Sequence, residues 1–397
     1  MFACFAIPSY RFQWFADVFS AAGLEMGTVI LAWYVLVTTD SPFLTALIAA
    51  LRHGGSLIAP FAGVLADRMS RRSLLLALRV SYAALAASLA AAALLGALPL
   101  AWVFSVAALG GLLRPTEILV RQSLIADTVP RAMLTNALGF GRTTLEGARI
   151  VGPLIGAAVF SALGIGPAYL CIALTYLASI LLSVRITVPA RARDRIRARP
   201  WAELLDGIAY MRRAPAIVTC MLLAFLANLT AFPVTLGLLP VIARDVFASD
   251  ENGLARMTAA VAAGALAGSI LVAVAMRNAP PERVMLASLA IWHALIAVLA
   301  LTGSPMLAYP LLVLIGLSAS GSMIPISVVL MSQSDADYRG RVMGVRMLAV
   351  YGLPLGLLAG GALFEWIGIA PTLLAYGGGG LLVVCAIAAR WRRQAPA

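Results

Sequence analysis

Gly152-Pro153-Leu154-Ile155-Gly156, followed by Phe160, Gly164-Ile165 and Pro167, returns 204 residues later as Gly356-Leu357-Leu358-Ala359-Gly360, Phe364, Gly368-Ile369 and Pro371. Upstream, Arg142 keeps the same register with Arg346. Each copy is apolar, carries small residues four apart, and closes on glycine and proline. That is the pattern of a helix that packs tightly against a neighbour and then turns. Repeated at half the chain length, it predicts two related halves, each built from several such helices.

The rest of the chain fits that reading. Of 397 residues, 62% are hydrophobic and 12% charged, against roughly one-quarter charged in a soluble domain. The solvent for most side chains is therefore lipid. At roughly 20 to 28 residues per span there is room for about twelve spans with short loops, and for no sizeable soluble domain. The spans fall at about 11–38, 43–66, 73–95, 99–120, 132–161, 165–187, 214–243, 253–276, 284–303, 306–331, 340–366 and 368–390. Turn chemistry separates them, as at Asp40-Ser41-Pro42, Gly164 to Pro167, Pro280-Pro281 and Gly368 to Pro371. The expected fold class is an all-α membrane protein of twelve transmembrane helices in two pseudo-symmetric six-helix bundles. The bundles would be residues 1–188 and 214–397, joined by a basic cytoplasmic linker, 189–213, with an amphipathic helix.

The net charge of +12 does not imply a nucleic-acid partner, because the basic residues sit in short gaps between apolar runs rather than on one wetted face. All are arginine, which reflects composition bias. Basic residues are retained on the cytoplasmic side, and here they fall in alternate gaps: Arg68, Arg71 and Arg72; Arg121 and Arg131; Arg191 to Arg213; Arg277 and Arg283; Arg339 and Arg341; Arg390 to Arg393. Both termini are then cytoplasmic, in a multi-pass protein of a bacterial inner membrane. The linker reads as a tether to anionic lipid headgroups. Met1 to Pro8 has no basic region of the kind that opens a cleaved signal.

Several chemistries find no support. Cys4, Cys171, Cys220 and Cys385 are widely separated, and the two histidines are distant, so no metal site is expected. A phosphate loop needs a lysine, and the chain has none. No serine nucleophile with triad partners is visible. An enzyme is not expected, nor is any cofactor.

The gap after the second span reads Gly63-Val64-Leu65-Ala66-Asp67-Arg68-Met69-Ser70-Arg71-Arg72. It resembles motif A of the major facilitator superfamily, with Ser70 in place of the usual second glycine. Gly139, Gly152-Pro153 and Gly156 in the fifth span resemble motif C, associated with antiporter branches. Phrases such as Ser41-Pro42, Thr135-Asn136-Ala137-Leu138 and Gly207 to Arg213 are similar to the branch of macrolide, multidrug and siderophore exporters. The resemblance implies a conformational latch of Gly63, Asp67, Arg68, Arg71 and Arg72, with Arg346 as a further partner. It implies a helix-bending motif of Gly139, Gly152, Pro153 and Gly156. The alternatives, a solvated loop and ordinary small-residue packing, stay open.

Charges inside spans are the sharpest residue-level signal, because each costs a few kcal/mol at mid-membrane unless paired or wetted. Glu25, midway along the first span with no basic residue within a turn, is the first candidate for a protonatable or cation-recognising group. Arg52 and His53 lie in the second span, and one of them faces a cavity or packs. Arg114, Glu117 and Arg121 recur at helical spacing in the fourth span, where they pair with each other or with Asp67. Arg114 resembles the arginine of motif B. Arg142, Glu146 and Arg149 share one face of the fifth span. His293 looks peripheral in this architecture. Asn228, Thr230, Ser318, Ser320, Ser322 and Met323 are mild groups in spans that line the cavity of such a fold. They suit an amphipathic cargo better than a sugar.

The resemblance therefore implies a proton-coupled secondary transporter that exports a small amphipathic molecule or drug by alternating access. Its partners would be a small-molecule substrate, protons and membrane lipids, and it would be a monomer. A siderophore or other anionic-metabolite exporter, an uptake carrier and a non-transporting receptor remain as alternatives.

Overall fold

The computed structural model describes residues 2–55, 70–187, 206, 208–212, 214–335 and 338–394. Eleven helices among them are long and apolar enough to cross a membrane. The first six helices in chain order are α1 (Pro8–Thr39), α2 (Pro42–His53), α3 (Arg71–Leu94), α4 (Leu100–Thr128), α5 (Leu134–Leu163) and α6 (Ile165–Ser183). The remainder are α7 (Pro215–Leu236), α8 (Glu251–Arg277), α9 (Pro281–Ala300), α10 (Pro305–Ser332), α11 (Arg339–Trp366) and α12 (Ile369–Trp391). α2 is the described part of the expected 43–66 span; the rest of that span lies outside the described residues.

Local chemistry sets the ends. Proline opens α7, α9 and α10, where a missing N–H costs nothing. Ser70 caps α3 by accepting from the Ser73 N–H at 3.1 Å. Glu365 caps α2, accepting from the Phe43 N–H at 3.0 Å and the Ser41 hydroxyl at 2.6 Å. The α5–α6 and α11–α12 turns each pivot on a glycine in the left-handed region, Gly164 at φ 81° and Gly368 at φ 89°.

Three helices expected as continuous carry irregular turns. In α7 a π turn spans Ala227–Ala231, just before Pro233, which cannot donate to the Leu229 carbonyl four residues back. α11 breaks at Val350 and Tyr351, one turn before Pro354, for the same reason. α12 widens at Ala375–Gly379, within a run of glycines.

By their internal contacts the helices form two units. The first holds α1, α3 to α6, the last residues of α2 and the opening turns of α8; the second holds the rest. In the first, α3 lies along α6, with Tyr82 stacked on Tyr176 at 5.3 Å between ring centroids. Leu74, Leu75, Leu78, Val120 and Leu124 form a core between α3 and α4. In the second, Ala49 and Ala50 of α2 pack on Leu353 and Leu357 of α11.

The repeat extends to contacts. A Cβ on Gly152 would stand 2.9 Å from the Glu25 Cβ, and one on Gly356 would run into the Leu229 carbonyl. Residues 25 and 229 are themselves 204 apart, so α5 meets α1 in the first unit as α11 meets α7 in the second.

Of the linker, only residues 206, 208–212 are described. There Tyr210 stacks on Tyr338 at 4.3 Å and its hydroxyl accepts from the Asp335 N–H at 3.0 Å.

Candidate functional site

The first unit gathers an unusual density of charge inside apolar helices. Two carboxylates and two arginines make a chain across α1 and α5. The Arg142 guanidinium lies 2.8 Å from Glu146, Arg149 lies 3.3 Å from Glu146, and Arg149 also approaches Glu25 at 3.8 Å. The small residues of α5 make this approach possible. Gly152 backs onto Glu25 and Gly156 onto Met26, where a Cβ would stand 2.9 Å from the Met26 Cα. Gly139 faces open space, and Pro153 sits inside an unbroken helix. Of the residues assigned to helix bending, Gly152 and Gly156 thus serve a close approach of α5 to α1.

A second network joins α1, α3, α4 and α6. Arg79, wholly buried, donates to both Asp17 and Ser183. Asp17 is also 4.0 Å from Arg121, and Ser20 donates to Glu117 at 2.9 Å. Arg121 and Glu117 are thereby partnered from α1, whereas the sequence suggested pairing within α4 or with Asp67.

Between these networks lies a cavity of about 60 Å³, lined by Arg52, Arg114, Tyr82, Tyr169 and Tyr176 among others. Gly111 lets the α4 backbone press against Leu51 and Arg52 of α2. Arg52 reaches α1, donating to the Thr28 hydroxyl at 2.5 Å and the Leu24 carbonyl at 3.2 Å. His53 ends α2 half-buried and does not line the cavity. Arg114 feels the attraction of Glu25 and the repulsion of Arg149 and Arg52.

Of the latch residues, Gly63, Asp67 and Arg68 lie outside the described residues. Arg71 pairs with Asp127 at the end of α4, at 2.6 Å, and Arg72 donates to the Val184 carbonyl. Arg346 donates to the Ser327 hydroxyl at 2.6 Å within the second unit.

The second unit's polar groups are spent on backbone carbonyls, of their own helix for Asn228 and Ser322 and of α8 for Ser320. Asn228 donates to the Ala224 carbonyl at 2.8 Å, Ser322 to Ser318 at 2.7 Å, and Ser320 to Ala265 at 2.7 Å. His293, read from sequence as peripheral, is fully buried. Its Nδ1 lies 2.8 Å from the Leu289 carbonyl, which only accepts, so Nδ1 carries a hydrogen and Nε2 meets the Thr230 hydroxyl at 3.0 Å.

Three partners were not singled out from sequence: Asp17, Arg79 and Asp127. The signal existed for the first two, since each is a charge within an apolar run, the criterion that picks out Glu25.

The model of the family described as transmembrane secretion effector matches residues 1–395. A staphyloferrin A transporter from Staphylococcus aureus (strain NCTC 8325 / PS 47) is 24% identical over 357 residues, 88% of each chain. Among solved structures, the nucleoside transporter NupG superposes with a TM-score of 0.78 at 14% identity, covering 96% of this chain and 99% of that one. A POT family transporter in complex with 5-aminolevulinic acid gives 0.76 at 12% identity, covering 96% and 95%. A bacterial homologue of the human lysosomal transporter Spinster gives 0.73 at 14%, covering 96% of both. These likenesses establish the fold that the motifs suggested.

Proposed function

Because the chain belongs to the transmembrane secretion effector family of the major facilitator superfamily, and is a multi-pass transporter rather than an enzyme, we propose that it exports a small amphipathic molecule by proton-coupled alternating access. The moving parts are bundles 1–188 and 214–397, and both termini lie on the cytoplasmic side of a bacterial inner membrane. The protein works as a monomer. Asp67 with Arg68, Arg71 and Arg72 serves as its latch.

The observation that carries this reading is the 3.8 Å approach of Arg149 to Glu25. That separation exceeds the length of a charge-assisted hydrogen bond, and Arg149 is shared with Glu146. Glu25 is therefore a mid-span carboxylate held by half a partner. Protonation releases Arg149; deprotonation leaves a site for a cationic or hydrogen-bond-donating cargo. Proton and cargo then compete, which is the condition for exchange. The second unit, whose hydroxyls are spent on partners within the unit, adds apolar area rather than fixed hydrogen bonds.

The test is efflux of a cationic dye from proteoliposomes under an imposed pH gradient. Wild type should respond to the gradient and Glu25→Gln should not. Equal gradient response in both removes Glu25 from coupling.

The staphyloferrin A transporter supports a second reading, an anionic siderophore-like cargo. Its charge would meet Arg142, whose side chain is 72% exposed. The sign of coupling separates the two. Acid weakens binding of a cationic cargo by competition at Glu25, whereas acid strengthens binding of an anion by releasing Arg149.

A further inference from the structure

Two guanidiniums, Arg52 and Arg114, share the cavity in the first unit, and among the described residues neither forms an ion pair. Among the described residues no carboxylate lines it. Glu25 attracts Arg114 but is already approached by Arg149. Glu117 reaches Tyr82 and Tyr176 electrostatically, yet its carboxylate accepts from Ser20. The unit thus holds positive charge in excess at a depth where an uncompensated charge is costly. Arg52 spends one nitrogen on Thr28 and Leu24 and keeps further donors. Three tyrosines share the same walls: Tyr82 and Tyr169 already donate to the Gly110 and Gly27 carbonyls, at 3.4 Å and 3.5 Å, and Tyr176 adds its hydroxyl.

Size selects the occupant. At about 60 Å³ the cavity holds a few waters or one small ion, and is far below the roughly 300 Å³ or more of a metabolite pocket. Neither cargo considered above fits.

We propose that this cavity is a resident binding site for a small monovalent anion of the size and charge of chloride, held between Arg52 and Arg114 with the Tyr176 hydroxyl as an additional donor. The anion offsets one of the two positive charges and fixes α2 and α4 against α1. The proposal does not depend on the sign of the cargo.

Purified wild type is compared in sodium chloride and sodium gluconate at one ionic strength. The unfolding midpoint should rise with chloride and saturate; bromide should substitute, and gluconate, too large for the cavity, should not. Arg114→Gln should abolish the shift. Gly110→Ala is the conservative control, because a Cβ there meets only the Tyr82 ring, at 3.9 Å, yet takes part of the volume. It should weaken the chloride dependence by about tenfold, the change that follows if narrowing the cavity costs binding about 1.4 kcal/mol. Crystals grown in bromide should show an anomalous peak between Arg52 and Arg114. Equal midpoints in chloride and gluconate, a chloride shift that persists in both variants, or bromide density confined to other places would each overturn the site.

Discussion

Gly152 and Glu25 face each other across the α5–α1 contact so closely that a Cβ on the glycine would stand 2.9 Å from that of the glutamate, with the Ala22 carbonyl at 3.2 Å. The ion pair to Arg149, three residues before the glycine, depends on that approach. Gly152→Ala should push α5 outward and cost about 1–3 kcal/mol, the range for an overpacked methyl. Dye efflux should fall with it. Gly139→Ala and Gly147→Ala meet nothing within 4 Å and should be tolerated. Thermal unfolding in detergent, alongside transport, checks the contrast; three equal effects would mean that packing against α1 is not what residue 152 provides. Gly356→Ala should be the harsher change, because its Cβ runs into backbone, the Leu229 carbonyl, rather than a side chain.

The Asp17 to Arg79 pair is buried on both sides, with side-chain exposures of 4% and 0%. Removing one member leaves a buried charge with only a secondary contact, Arg121 at 4.0 Å for Asp17 or the Ser183 hydroxyl for Arg79, at a cost of about 3–5 kcal/mol. Arg79→Leu should therefore collapse the yield of folded protein, and Asp17→Asn should act in the same direction. The double replacement Asp17→Leu with Arg79→Leu should recover much of the loss, since both fully buried charges go and only Arg121, 15% exposed, loses its 4.0 Å neighbour. A double variant no more stable than Arg79→Leu would show that Arg121, 4.0 Å from Asp17, already compensates the carboxylate once Arg79 is gone.

The fold was legible because lipid makes sequence simple. Apolar length and arginine placement define the spans, and the 204-residue repeat from Gly152 to Pro371 extends to contacts, with Gly164 and Gly368 adopting the same rare backbone conformation. The site was legible only in part. Glu25, Arg142, Glu146 and Arg149 stand out as charges in apolar helices, but that Arg149 bridges Glu146 and Glu25 depends on how α5 rotates about its axis, which spacing along one helix does not determine. Arg121 shows the same gap, since its partner is Asp17 from another helix. His293 looked peripheral because of the place of its span in such an architecture, whereas its burial follows from glycines on α12.

Arg71 and Asp127 form the contrasting ion pair, 2.6 Å apart but with 40% and 19% of the side chains exposed. Water and salt screen such a pair, so Arg71→Gln should cost no more than about 1 kcal/mol of stability. If the pair belongs to the latch at the start of α3, its loss should change transport rate far more than unfolding temperature. Exchanging the charges, Arg71→Asp with Asp127→Arg, should return the rate toward wild type. A large drop in unfolding temperature with unchanged transport would make the pair purely structural.

The glycine run of α12 divides sharply by face. A Cβ on Gly377 would press on the Ala297 nitrogen at 2.5 Å and the His293 carbonyl at 2.7 Å, and one on Gly380 would overlap the His293 ring; Gly378 and Gly379 meet nothing within 4 Å. His293 cannot yield easily, because both its ring nitrogens are committed, to Leu289 and Thr230. Gly377→Ala should be the most damaging, since it meets backbone, and Gly380→Ala next, since it displaces a hydrogen-bonded ring; each should cost about 1–3 kcal/mol. Gly378→Ala and Gly379→Ala should be neutral or slightly stabilising, because alanine is favoured over glycine in a helix by up to about 1 kcal/mol. Unfolding midpoints of the four single variants decide it. His293→Ala should rescue the Gly380→Ala background but not the Gly377→Ala background, which separates ring displacement from a general intolerance of side chains at this widened turn.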